Sequence, residues 1–174
     1  MSERGVYGIY CDRLYDGMNR LISDSGWRSN QIVLNCRVLL AGFMTGVPTA
    51  MGIQNLQVGR GRPEWDVTPP PPPDPNTTTK LEDAAPFVIP RASLTFQFLD
   101  ASDAIVAGAT NRLQIVAVLG LNQPSPATSP PFPLREFGLF GQLNGQPFMI
   151  NCIRHPLIEK SGAVSLERRV RLVF

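Results

Sequence analysis

Leu134-Arg-Glu-Phe-Gly-Leu-Phe-Gly-Gln-Leu-Asn-Gly-Gln-Pro-Phe-Met-Ile-Asn-Cys-Ile153 is the stretch that decides the fold. Two apolar runs flank Asn144-Gly145, a dipeptide suited to the paired positive-φ positions of a type I′ turn, whose twist matches that of antiparallel strands. The stretch therefore predicts a β-hairpin. Neighbours on a strand face opposite ways, so Arg135 and Glu136 are expected on different faces. Gly138 and Gly141 leave room for a bulge or for close approach of another backbone. Nothing in the stretch has the make-up of a reaction centre.

Toward the C-terminus, Leu166, Val170, Leu172 and Phe174 alternate with Glu167, Arg169 and Arg171, which predicts a closing strand with Arg168 alone out of phase on the apolar side. Upstream, a second proline-rich loop covers residues 124–133. Before it, Leu113, Ile115, Val116, Val118 and Leu119 are apolar on both faces, which predicts a strand central in a sandwich. Residues 92–99 set Leu94, Phe96 and Phe98 against Ser93, Thr95 and Gln97, a half-buried strand closed by the turn at Asp100–Asp103. Residues 53–58 alternate into Gly59-Arg60-Gly61. Residues 31–43 admit a buried helix, but Ile32, Val33 and Val38 favour a strand with Ile32, Leu34, Cys36, Val38 and Leu40 on one face.

Two segments differ in kind. Residues 6–22 carry Val6, Ile9, Tyr10, Leu14, Met18, Leu21 and Ile22 at helical spacing, ended by Ser23-Asp24-Ser25-Gly26, and predict an N-terminal helix. Residues 66–90 contain five consecutive prolines, Pro69 to Pro73, which fix φ and remove donors, and predict an extended surface loop unable to pair in a sheet. The expected fold is mainly β: an antiparallel β-sandwich with one N-terminal α-helix and long proline-rich loops. The expected layout is a helical segment over 1–30, then a sandwich over 31–174 carrying the surface loop 66–90.

The 174 residues, 43% hydrophobic and 17% charged, suffice for one sizeable core. A formal charge of +2 gives no reason to expect nucleic acid. Cys11, Cys36 and Cys152 are far apart and odd in number, which predicts reduced, mostly buried thiols in a chain folded in a reducing cytoplasm. No signal peptide is read at the N-terminus, and the longest apolar run falls far short of the ~20 residues of a spanning helix, so no membrane association is expected.

Candidate chemistry is sparse. His155 is the only histidine, and strand alternation puts Cys152 on the opposite face, which disfavours a Cys–His pair. Gly59-Arg60-Gly61 lacks the third glycine and the Lys-Ser/Thr of a phosphate loop and reads as a strand-to-loop turn. Arg60 and Arg62, with Arg168, Arg169 and Arg171, make a basic patch only if they converge, and solvated strand faces or salt bridges between subunits are the commoner use of such residues. Glu64, Asp66, Glu82, Asp83, Asp100 and Asp103 have turn and cap spacing rather than that of a general-acid pair or calcium loop. No catalytic residue, cofactor or metal is expected.

Several fragments fall in a telling order: Ile53-x-x-Leu-x-Val-Gly-x-Gly-x-Pro63, Thr79-Lys80-Leu81-Glu82, Arg91 leading a strand, Asn111-x-Leu-x-Ile115, Leu134-Arg-Glu-Phe-Gly-Leu-Phe-Gly141, the Asn-Gly turn and His155-x-x-Ile-x-Lys160. This order resembles the attachment domain of bacteriophage tail-collar fibre proteins and is similar to baseplate or fibre-attachment parts of contractile injection particles. The resemblance covers roughly the last two-thirds of the chain. It implies a β-rich, non-enzymatic structural subunit of a virion tail or injection particle, assembled by contact with other tail or baseplate subunits and as a homo-oligomer. The family module usually begins a longer fibre, so an adaptor is expected here rather than a complete fibre. Arg135 and Glu136 are then expected to set register, with Phe137, Leu139 and Phe140 as core or interface anchors. The 66–90 loop, with Pro71 at the centre of its proline run, becomes a partner-contacting arm flanked by Arg60, Arg62 and Trp65. Two other classes are weighed beside it: a carbohydrate-binding β-sandwich using Trp27 or Trp65 as a sugar platform, and a hydrolase resting on His155 alone.

Overall fold

The computed structural model describes residues 5–174 and sets Asn144 and Gly145 at φ 52° and 76°, so the expected hairpin turn forms. The chain is mainly β, with 48% of it in strands. In chain order the elements are β1 (Tyr7–Tyr15), β2 (Leu21–Asp24), β3 (Arg28–Ile32), α1 (Leu34–Met44), β4 (Met51–Gly59), β5 (Phe87–Pro90) and β6 (Leu94–Leu99). They continue with β7 (Ile105–Val106), β8 (Arg112–Leu119), β9 (Phe132–Leu143), β10 (Gln146–Met149), β11 (Asn151–Lys160) and β12 (Ser165–Val173). They divide into two compact units. The first comprises the described part of Met1–Asn30, Ser93–Pro130 and Ser161–Phe174; the second comprises Gln31–Ala92 and Pro131–Lys160.

In the first unit β1 pairs β12, β12 pairs β8 and β8 pairs β6, all antiparallel, with β2 and the start of β3 along the other side of β1. Tyr10, Val170 and Ile115 lie opposite one another, as do Leu14, Leu166 and Leu119, and all of these but Leu14 are buried. Between them come Asp12, Arg168 and Ala117. Arg168 is on the apolar side as its phase predicted, buried at 2% exposure, and gives Asp12 two bonds of 2.7 Å. β8 pairs β12 on one side and β6 on the other, and one of its two apolar faces is shut away, with Ile115, Ala117 and Leu119 buried while Val118 on the other face is half exposed. On β6 the predicted alternation slips at the end, where Phe98 is partly open and Leu99 is buried beside the two-residue β7.

The helix expected over 6–22 does not form. Those residues make the β1–β2 hairpin instead, because Tyr7, Ile9, Tyr10 and Tyr15 suit a pleated surface and Asp16-Gly17-Met18-Asn19 is turn chemistry. The Asp16 carboxylate accepts the N–H groups of Met18 and Arg20, and Asn19 takes φ 61°.

In the second unit β9 is central. It pairs β4 on one side and β10 then β11 on the other, while β5 extends β4 and β11 also meets the end of β3. A Cβ on Gly138 would come within 2.7 Å of the Asn151 carbonyl, and one on Gly141 within 2.8 Å of that of Met51, so both glycines admit the close backbone approach expected of them. Between β10 and β11 the Asn151 side chain takes over part of the ladder, its Oδ1 accepting the Leu139 N–H at 2.6 Å.

Two expectations are corrected here. Residues 31–43 are not one strand: β3 ends at Ile32 and α1 begins at Leu34, burying Cys36 and Leu39 at helical spacing. Val33 keeps extended geometry, φ −100° and ψ 162°, as the residue before the helix, and only at Val38 is the local β preference overridden. The Pro75 carbonyl accepts the Leu34 N–H at 2.8 Å, meeting one of the orphan donors of the first turn. The 66–90 segment is irregular through its prolines, but its last four residues pair with β4 as β5. Pro90 is tolerated because it ends an edge strand, where its missing donor breaks no ladder.

Candidate functional site

The most densely charged place in the second unit lies where β9 and β11 meet the segment after β4. Arg135 and Glu136 are adjacent on β9 and buried on opposite faces. The Arg135 guanidinium donates to both Asp66 oxygens, from Nε at 2.7 Å and Nη2 at 2.6 Å, and from Nη1 to the Arg60 carbonyl at 2.8 Å. This fork holds the Asp66 carboxyl below the usual carboxylate range. The fully buried Glu136 carboxylate accepts the backbone N–H groups of Asp83 at 2.7 Å and Glu82 at 3.0 Å. Burial pushes its pKa up, and the two amides oppose that shift.

Glu82 and Asp83 then bind basic side chains. Glu82 Oε2 accepts from Arg62 at 2.6 and 3.0 Å, and its Oε1 from Arg154 at 3.1 Å. Asp83 accepts the Arg60 N–H at 2.8 Å and its guanidinium at 3.4 Å. Arg154, opposite Glu136 across β9 and β11, also donates to the Pro71 carbonyl at 3.0 Å and sits 5.2 Å from the Trp65 ring centre. Arg60 covers Phe132 at 4.3 Å. The result is a clamp: four arginines and four carboxylates tie residues 60–83 down onto β9 and β11.

Each expected site residue has a definite place. Phe137, Leu139 and Phe140 are buried within this chain as core, and Phe140 packs with Val33, Leu81, Met149 and Cys152. Arg60 and Arg62 make salt bridges within the chain, to Asp83 and Glu82, and Arg168, Arg169 and Arg171 belong to the other unit. Pro71 is exposed, with its carbonyl held by Arg154. Trp65 is buried at 9% exposure, so its ring is no open platform. Trp27, at 41%, is the tryptophan left in the open. Sequence reading missed Arg154, whose basic side chain on a strand rich in buried residues was the available signal.

Two clefts border the clamp. One of about 1030 Å³ is lined by Asn35, Gln57, Thr78, Lys80, Phe140 and Arg154 among others, and one of about 380 Å³ by Arg62, Trp65, Pro69, Pro71, Glu82 and Arg154. His155 is buried, with Nδ1 2.7 Å from the Pro156 carbonyl and its ring 6.2 Å from that of Phe137. Burial pushes the Cys152 thiol up to about 12, far from a thiolate nucleophile at neutral pH. All three cysteines are free and buried, as expected. Among the described residues, no three His, Cys, Asp or Glu side chains gather as a metal site, and no helix is long and apolar enough to cross a membrane. No protein-family model, no curated protein and no solved structure matches the chain.

Proposed function

We propose that this chain is a non-enzymatic structural subunit of a bacteriophage tail or related contractile injection particle, occupying a baseplate, collar or fibre-attachment position. It folds in the bacterial cytoplasm and is held by contact with other particle subunits and with further copies of itself. The observation that carries this reading is the outward side of α1. Leu34, Val38, Phe43 and Met44 are exposed, Met44 at 88%, and Arg37 is the one charge among the helix's eleven residues. A helix apolar on nearly every side is stable in water only where something covers it. The sequence resemblance centred on residues 134–141 supports the same reading. Those residues hold the clamp together, a task that suits a part which must keep its shape under load.

Light scattering across a concentration series, with pull-down of tail components from producing cells, tests the assignment. The wild-type chain is expected to associate and to co-purify with particle proteins, and the Val38→Glu, Met44→Glu double variant to fold and remain monomeric. A wild-type chain that stays monomeric at high concentration and brings down no particle component removes the reading.

A further inference from the structure

The outward face of the first unit carries a row of side chains that the assembly reading leaves unused. Tyr7, Ile9 and Arg13 on β1, Arg169, Arg171 and Val173 on β12, Arg112 and Gln114 on β8 and Gln97 on β6 share the face opposite the buried Tyr10, Asp12 and Arg168, by alternation and register. Arg171, Gln114 and Gln97 stand opposite one another on three successive strands, a span of about 10 Å at ~4.8 Å per strand. They are wired in series. Arg171 Nε donates to Gln114 Oε1 at 2.9 Å, and Gln114 Nε2 donates to Gln97 Oε1 at 2.7 Å. Arg171 Nη1 donates to Asp103 at 2.8 Å, which fixes the guanidinium in place.

That guanidinium lies 4.0 Å from the ring centre of Trp27. One side of the indole is covered, and 41% of the residue stays open, enough for the other ring face. Tyr7, half exposed, stands on the same side of β1. The serial bonds leave donors unused at the two ends of the row, while Gln114 between them is buried at 4% exposure. Among the described residues, the Gln97 amide is engaged only through its oxygen and the Arg171 Nη2 makes no hydrogen bond. The face is also close to electrically neutral. Its four guanidiniums, Arg13, Arg112, Arg169 and Arg171, meet three carboxylates in Asp24, Asp103 and Glu167. A polyanion would have to break those pairs, whereas an uncharged polyol need only exchange water at the free donors.

We propose that this face binds an uncharged oligosaccharide, a sugar ring stacking on the open side of Trp27 and its neighbours reaching Arg171 and Gln97, which the buried Gln114 holds in place between them. An indole held rigid by a cation and an amide row one strand apart fit the alternating apolar and hydroxyl-bearing surfaces of a pyranose chain. The inference uses different side chains from the assembly reading and stands or falls separately from it.

Calorimetry and tryptophan-fluorescence titrations of the full chain with maltohexaose, cellohexaose and chitohexaose test it. At least one is expected to bind and quench emission. Trp27→Ala should weaken that binding at least tenfold, Gln97→Ala several-fold, and Trp27→Phe only slightly, with circular dichroism melts showing that each variant folds. No binding of any of the three at millimolar concentration overturns the proposal. So does binding that survives Trp27→Ala in a folded protein, or binding of heparin alone with steep salt dependence.

Discussion

Arg168 and Asp12 are both buried, and their two short bonds are the reason an ion pair survives inside the first unit. Removing one partner strands the other charge, so Asp12→Ala is expected to destabilise by about 3–5 kcal/mol, while Asp12→Leu with Arg168→Met recovers most of that loss. Urea unfolding of the three proteins decides it. Gly59 gives a second case. A Cβ there would lie 2.6 Å from Glu136 Oε1 and 3.0 Å from the Asp83 Cβ, so Gly59→Ala should lower stability by about 1–3 kcal/mol as the clamp is pushed apart, read from the shift in urea midpoint. Neither pair could be read from the sequence as a contact. The residues joined by the clamp are more than fifty positions apart in the case of Glu136 with Glu82 and Asp83, and only the folded sheet brings them together. Arg168 did betray itself, as the one charge in the wrong phase of β12, and Asp12 is the reason for it.

The hairpin of β9 and β10 was legible because Asn144-Gly145 dictates a turn that few other dipeptides tolerate. Gly145→Ala, at φ 76°, should therefore lower the melting temperature through a loss of about 1–2 kcal/mol, with amide exchange quickening in β9 and β10 before other strands. β1 was misread as helix because a buried aspartate broke the apolar alternation that identifies a strand, while Ile9, Tyr10, Leu14 and Met18 fell at helical spacing by coincidence. α1 was misread for the opposite reason. It is apolar on most of its surface, so the stripe that marks an amphipathic helix is missing, and short apolar runs of this kind do not distinguish helix from strand. What made the helix hard to recognise is the same property that makes its outward side suited to contact.

Over the whole molecule, pH acts through groups that burial has moved. Lys160 is fully buried, and that burial lowers its pKa from 10.5 to about 8. The unfolded chain therefore holds this proton more tightly than the folded one, and its unfavourable contribution, complete below about pH 8, fades as pH rises toward 10.5. Cys36 and Cys152 act in the opposite sense above pH 9, because their thiols stay protonated in the fold, to about 11 and 12, after they would ionise in the unfolded chain. Stability measured by urea unfolding is expected to rise between pH 7 and 9, and Lys160→Met to flatten that rise. An unchanged slope in the variant would assign the limb to other groups.

The clamp also bears on how the protein meets proteases. Lys80 is exposed within an irregular stretch, which is where trypsin would be expected to nick the chain first. Yet Leu81, on the other side of that bond, is buried, and the next two amide hydrogens belong to Glu136. A cleaving enzyme needs several residues drawn out into its cleft, so digestion at Lys80 must wait for the strap to lift, and the timing of that one cut reports how often it does.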